Sequence, residues 1–274
     1  MPAYNLIAPD KLVRLIALPG SPRIIDLREG ADSAIPGSYF PAGSEPTSWA
    51  LGERNAAILV DSAGGAAAEA AAAILRSEGR MAEVLEGGFA AWLAKGMPTV
   101  SLAHLPQRHA DGRTWWVTRS RPKVDRIACP WLIRRFIDPD ARFLFVAPHE
   151  VLAVAARQRA EPFDIVDSSV FWSHRGERCT FDVMVEAFGL GAHAPLTLLA
   201  TIVRGADTDR LDLAPEAAGL LAIALGLSRM HADDHVQLDA GIAVYDALYR
   251  WARDAHGEKH DWASHRPSRG VTDV

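Results

Sequence analysis

Short, continuous apolar runs mark the front of the chain: Arg23-Ile-Ile-Asp-Leu27, Ala57-Ile-Leu-Val60 and Glu83-Val-Leu-Glu86, each closed by a polar or glycine-bearing turn. Runs of this length predict buried strands. Helical stretches lie around them: residues 9–18, an alanine-rich segment after Gly64-Gly65, and a segment through Trp92 that ends near Gly96. Strands alternating with short helices predict an α/β domain, a small parallel sheet with helices on both faces.

The rhythm changes after residue 112. Trp115, Trp116, Val117 and Thr118 predict a strand, halted before Pro122. Asp125 fits a helix N-cap, and Ile127, Trp131, Ile133 and Phe136 follow near a 3.6-residue period up to Asp138-Pro139. Two further strands, Arg142–Val146 and Pro162–Val166, enclose a helix over 149–159. A polar stretch over 167–179 leads into helices over 181–188, 195–204, 215–228 and 233–255. This half predicts an α+β, mainly helical domain, its small sheet packed on a bundle. Leu102–Gly112 has no period and holds proline and glycine, which places domains at 1–102 and 113–257 around a linker at 103–112, with a loose tail over 258–274.

Composition narrows the class. At 274 residues and 49% apolar the chain is globular, and a net charge of −5 argues against direct DNA binding. Two cysteines 50 residues apart do not make a disulfide scaffold. The N-terminus has no signal-peptide pattern, and the longest apolar stretch, near 214–227, is too short to cross a bilayer, so a cytoplasmic location without membrane contact is expected.

Three groups of residues carry candidate chemistry. Arg119, Arg121, Lys123 and Arg126 crowd the strand-to-helix turn, with Arg134 and Arg135 further along. Guanidinium groups at a helix mouth suit an oxyanion, and Arg119, Arg121, Arg126 and Arg134 are the candidate ligands. Cys129 is the candidate catalytic thiol there, its pKa expected to be lowered by these charges. The segment His174-Arg-Gly-Glu-Arg-Cys-Thr-Phe-Asp182 offers His174, Glu177, Cys179 and Asp182 as a ligand pocket, or, in the plainer reading, a Glu177 ion pair and a Thr180 cap. On the last helix His231, His235 and Asp239 fall at i, i+4 and i+8 with Asp234 beside them, a workable set for one divalent zinc, iron or manganese ion, or else for capping.

The run Trp116–Asp138, W-V-T-R-x-R-P-x-V-D-R-I-A-C-P-W-L-I-R-R-F-I-D, resembles the opening of the chromate-resistance protein B (ChrB) C-terminal domain family. His174–Asp182, Asp233–Asp239 and Tyr245–Tyr249 resemble it too. The front half resembles a rhodanese domain at Ile25-Asp-Leu-Arg28, Ile35-Pro-Gly-Ser38, the loop after Val60, and Leu85–Trp92 with Gly96-Met-Pro98. Rhodaneses carry sulfur on a loop cysteine, and here Asp61 stands in its place, with Ser62, Gly64, Gly65 and Ala66 completing a degenerate loop. A carboxylate cannot accept sulfane sulfur and would fill the anion cradle itself, so sulfurtransferase activity is not expected.

The resemblance implies a chromate-resistance role: binding of an oxyanion such as chromate or sulfate, of a metal, or of both, in a sensing, regulatory or accessory capacity. A protein partner held by the rhodanese-like domain belongs to the same reading. The alternatives are a metal-dependent or thiol-assisted redox or sulfur-handling enzyme, and an interaction scaffold.

Overall fold

The structure, a computed structural model, describes residues 5–41, 43, 45–49 and 56–258. Of the expected loose tail, 259–274 lie outside the described residues. In the front half, β1 (Leu6–Ile7), α1 (Pro9–Leu12), β2 (Arg23–Asp26), β3 (Ser33–Ala34), β4 (Ser38–Tyr39), β5 (Ala56–Val60), α2 (Ala66–Ser77), β6 (Met81–Leu85), α3 (Gly88–Ala94) and β7 (Val100–Ser101) follow in order. The sheet order is β1-β6-β5-β2-β4 and every pairing is parallel. Successive strand residues point to opposite faces and build two cores. Ile25, Leu59 and Val84 meet α2 through Ala68, Ala72 and Leu75, whereas Ile24, Ile58 and Val60 meet α1 and α3 through Leu12, Phe89 and Trp92.

Asp61 follows β5 directly. Its carboxylate accepts from the backbone amides of Ala63 at 3.0 Å, Gly64, and Gly65 at 2.7 Å. The cradle is therefore occupied by the protein's own side chain, as a carboxylate in that place would dictate.

No regular element interrupts residues 102–114. The second half opens with β8 (Trp115–Arg119) and α4 (Asp125–Leu132), continues through β9 (Arg142–Val146), α5 (Val151–Gln158) and β10 (Glu161–Pro162), and ends in α6 (Thr180–Ala187), α7 (Ala194–Asp207), α8 (Ala217–Met230) and α9 (Asp234–Asp254). Its sheet is parallel too, in the order β10-β8-β9. Val117 faces α5 through Val151 and Ala155. Trp116 faces the helical bundle, where Ile127, Trp131, Phe181, Leu199 and Tyr245 share one core.

Two expectations about local structure are corrected. Asp125 is not the N-cap of its own helix; that place belongs to Val124, at φ 36° and ψ −98°. A β-branched residue there is strained, by roughly 1–3 kcal/mol, and the strain turns Asp125 inward to other partners. Thr180 is not a cap either: Cys179 precedes α6 and the Asp182 carboxylate accepts its N–H at 3.0 Å. Past Leu132, α4 loosens into a π turn over Ile133–Ile137.

The two halves are packed together. The buried Arg23 guanidinium pairs with Asp140 and lies 4.2 Å from the Tyr39 ring centroid. The Gly37 amide donates to the Phe136 carbonyl at 2.6 Å, and the Ser101 amide to that of Phe188 at 2.9 Å.

Candidate functional site

A cavity of about 910 Å³ opens at the carboxyl ends of β8 and β10, the usual place for ligands beside a parallel sheet. Arg119 comes from the end of β8, Arg126 from the first turn of α4, Asp164 from just past β10, His174 from the polar loop and Asp207 from the end of α7. Asp125 is fully buried beside this wall.

His174 is the centre of the group. Its Nε2 lies 3.2 Å from Asp207 Oδ2, 3.4 Å from Asp164 Oδ1 and 3.6 Å from Asp125 Oδ2. Asp125, His174 and Asp207 each offer one donor atom, all within 4.8 Å of one another, and among the described residues no other such group occurs. Zinc, iron or manganese bound to oxygen and nitrogen at about 2.1 Å in tetrahedral array separates its donors by about 3.4 Å, and the distances to His174 bracket that value.

The carboxylates are held in different ways. Asp125 Oδ2 accepts the Thr180 amide at 2.6 Å and the Phe181 amide at 3.3 Å, so it caps α6 across the fold. The Cys179 thiol also donates to Asp125. Asp125 Oδ1 is buried with no hydrogen-bond partner, as is Arg119 Nε. Asp164 accepts from the Thr180 hydroxyl at 2.9 Å and pairs with both arginines, Arg119 and Arg126, at 3.2 Å.

Titration follows this arrangement. Burial first, then Asp207 and Asp164, push the Asp125 carboxyl well above its usual range. Hydrogen bonds to Asp164 and Asp207 lift His174 to about 10 against the drying effect of its surroundings. Burial raises Asp164, but the His174 hydrogen bond and the Arg126 and Arg119 charges outweigh it, and its pKa is lowered. Arg126 is lowered, by burial and then by Arg119.

Of the four candidate anion ligands, Arg119 and Arg126 reach the cavity. Arg121 does not: its guanidinium donates to the backbone carbonyls of Ser228, His231 and Ala232 at the end of α8. Arg134 pairs with Asp239 at 3.2 Å over the Phe143 ring, and Arg135 is bidentate on Asp246 at 2.7 Å. The expected reactive thiol is reversed. Cys129 is buried and its pKa is raised, first by burial, then by Asp125 and Asp164, since carboxylates rather than guanidinium groups govern its surroundings.

Within the second candidate pocket only His174 lines the cavity. Glu177 is exposed and 3.3 Å from Arg210, Cys179 is buried, and Asp182 pairs with Arg204 at 2.9 Å. The third group is not assembled. α9 begins at Asp234, so His231 falls outside the helix and the i, i+4, i+8 register is broken. Asp234 accepts the Arg121 amide at 3.0 Å, His235 packs edge-on to Phe145, and Asp239 is engaged by Arg134.

Asp164 and Asp207 went unforeseen as site residues. Asp164 had one legible signal, an acid at the end of an apolar strand. Asp207, at the end of an apolar helix, had none.

A solved thiosulfate sulfurtransferase from Pseudomonas aeruginosa is 27% identical over 36% of this chain and 19% of its own, with a TM-score of 0.31. A Lactobacillus plantarum protein of known structure is 22% identical over 29% of this chain and 73% of its own, with a TM-score of 0.25. Protein ChrB of Cupriavidus metallidurans is 34% identical over 165 residues, with 57% of this chain and 47% of that protein covered, so the chain spans about half the length of that relative. The family model for the ChrB C-terminal domain matches residues 116–252, half of the 274, and takes in Arg119, Asp125, Arg126, Asp164, His174 and Asp207. This chain belongs to the ChrB C-terminal domain family.

Proposed function

We propose that the second half binds a divalent transition metal through Asp125, His174 and Asp207, and that Arg119 and Arg126 receive the oxygens of an oxyanion beside it. Family membership supports a role associated with chromate resistance, and within it we read sensing, regulation or accessory binding in the cytoplasm, with a protein partner at the rhodanese-like half. The observation that carries the reading is the meeting of three carboxylates on one imidazole nitrogen, with a buried carboxylate oxygen left unpartnered. In a low-dielectric setting such carboxylates repel, and a cation relieves them. The arginines alone are poor anion ligands, because Asp164 pairs with both and cancels one of their two charges while Asp125 and Asp207 stand beside them; a bound cation adds positive charge there. Two carboxylates and an imidazole suit manganese, iron or zinc.

An enzyme is the second reading. Three protein donors leave a coordination position open, as catalytic metal sites do. A thiol-assisted mechanism is set aside, because both thiols are buried with raised pKa values.

Metal analysis of the purified protein, with calorimetric titration of Mn²⁺ and Zn²⁺ into chelator-treated samples, tests the site. Near-stoichiometric binding is expected in the wild type and in His235→Ala, with at least about a tenfold loss of affinity in His174→Ala and Asp207→Asn. Binding that survives both site substitutions and disappears in His235→Ala would return the metal to α9.

A further inference from the structure

The cavity is much larger than a bare oxyanion needs. It measures about 910 Å³, whereas a tetrahedral oxyanion takes the room of a few waters at roughly 30 Å³ each. Cavities of several hundred Å³ accommodate organic ligands.

Its lining is also divided. Arg119, Arg126, Asp164, His174 and Asp207 are its charged part; the loop over 165–171 adds apolar surface from Ile165, Val166, Val170 and Phe171, with Asp167, Ser168 and Ser169 between them. Val166 is 99% exposed; Phe171 is 37% exposed, its ring stacked on His104 at 4.6 Å and edge-on to Trp172 at 4.7 Å, so Val166 is the freer of the two. A valine held wholly in water at the wall of a cavity is apolar surface without a partner, and covering it is favourable. Arg175 closes the same end: its guanidinium lies 4.4 Å from the Phe171 ring centroid and donates to the Phe171 carbonyl at 3.1 Å.

We propose that the cavity takes an organic anion, its charged head at Arg119, Arg126 and the metal position, and its apolar body against Val166 and Phe171. This rests on the metal-and-arginine reading for the head, but the apolar end stands on its own exposure and lining. An amphipathic molecule satisfies both ends at once; a bare tetrahedral ion leaves the apolar wall in water.

The test uses the full chain, once loaded with Mn²⁺ and once metal-free, titrated calorimetrically with methylphosphonate and with phenylphosphonate. The two probes share a head group and differ in the apolar body. Phenylphosphonate is expected to bind about tenfold tighter or better, and the advantage is expected to vanish in Val166→Ser and to shrink in Phe171→Ser. Val166 projects into solvent, so its replacement leaves the packing intact. Equal affinity for the two probes, an advantage untouched by either substitution, or no binding of either probe in either state overturns the proposal. Failure of the metal reading shows differently, as titrations that are the same with and without Mn²⁺, while the phenyl-to-methyl ratio still reports on the apolar wall.

Discussion

His174 is where charge, geometry and protonation converge. Folding raises its pKa from an ordinary 6.5 to about 10, through the hydrogen bonds to Asp164 and Asp207. Asp125 is raised as well, by burial and by its acidic neighbours. In both cases the native chain binds more protons than the unfolded one, so stability falls as pH rises, for His174 through the window from 6.5 to about 10. In chelator, the melting temperature is expected to be lower near pH 8.5 than near pH 6.5, a span below the ordinary ionisation of the two buried thiols, and His174→Gln should flatten the difference. A level profile in the wild type would remove the ion-pair account. A bound metal substitutes for the His174 proton, so loading should release protons and strengthen with pH. The sequence marked His174 as chemical but not its partners. Asp125 read as a local cap because its position before an apolar-periodic run fits one; the positive φ of Val124, which turns it toward α6, is invisible in a string of letters.

Among the elements, α4 and α9 decide how the site is held. Gly241 in α9 lies so close to α4 that an added Cβ would stand 2.6 Å from Ile127 Cγ2 and 3.0 Å from its Cδ1. Gly241→Ala should gain about 1 kcal/mol of helix propensity but lose about 1–3 kcal/mol to overpacking, because Ile127 is buried and cannot retreat. The expected net is destabilisation by up to ~2 kcal/mol in chemical denaturation, with weaker metal binding as α4 moves Asp125; a stabilised variant would contradict the close approach. Most helices and strands were legible at this scale, since apolar spacing reports burial directly. The helix expected over 9–18, however, stops at Leu12, and the strand expected over Pro162–Val166 keeps only Pro162. The fate of the arginines was not legible. Arg119, Arg121, Arg126 and Arg134 look alike beside a helix start, but Arg121 adopts a positive φ of 57° and turns to the end of α8, while Arg134 finds Asp239 far along the chain.

For the molecule as a whole, the linker reading suggests two independent bodies, yet the halves share a core. Ala17 and Val100 belong to the same buried cluster as Trp131 and Phe188, and Arg23 reaches from β2 to Asp140 with only 2% of its side chain exposed. Arg23→Ala is expected to lower stability by about 2–3 kcal/mol, below the full loss for a buried pair because Asp140 keeps access to water. Calorimetry should record a single unfolding transition for the wild type; two resolved transitions would mean that the halves unfold apart. No described helix is long and apolar enough to cross a membrane. The parallel strand order of the front half followed from alternating strands and helices; for the second half the pattern gave a small sheet but not its parallel order, and no sequence pattern announces how two such halves dock.

The loop after β5 carries its own occupant. A tethered carboxylate competes for the amides of Ala63, Gly64 and Gly65 at the high local concentration of any intramolecular group, so a dissolved anion meets a seat that is almost never empty. That loop is thus closed to sulfite, sulfate and their relatives at any ordinary level, and does not compete with the cavity of the second half for ligand.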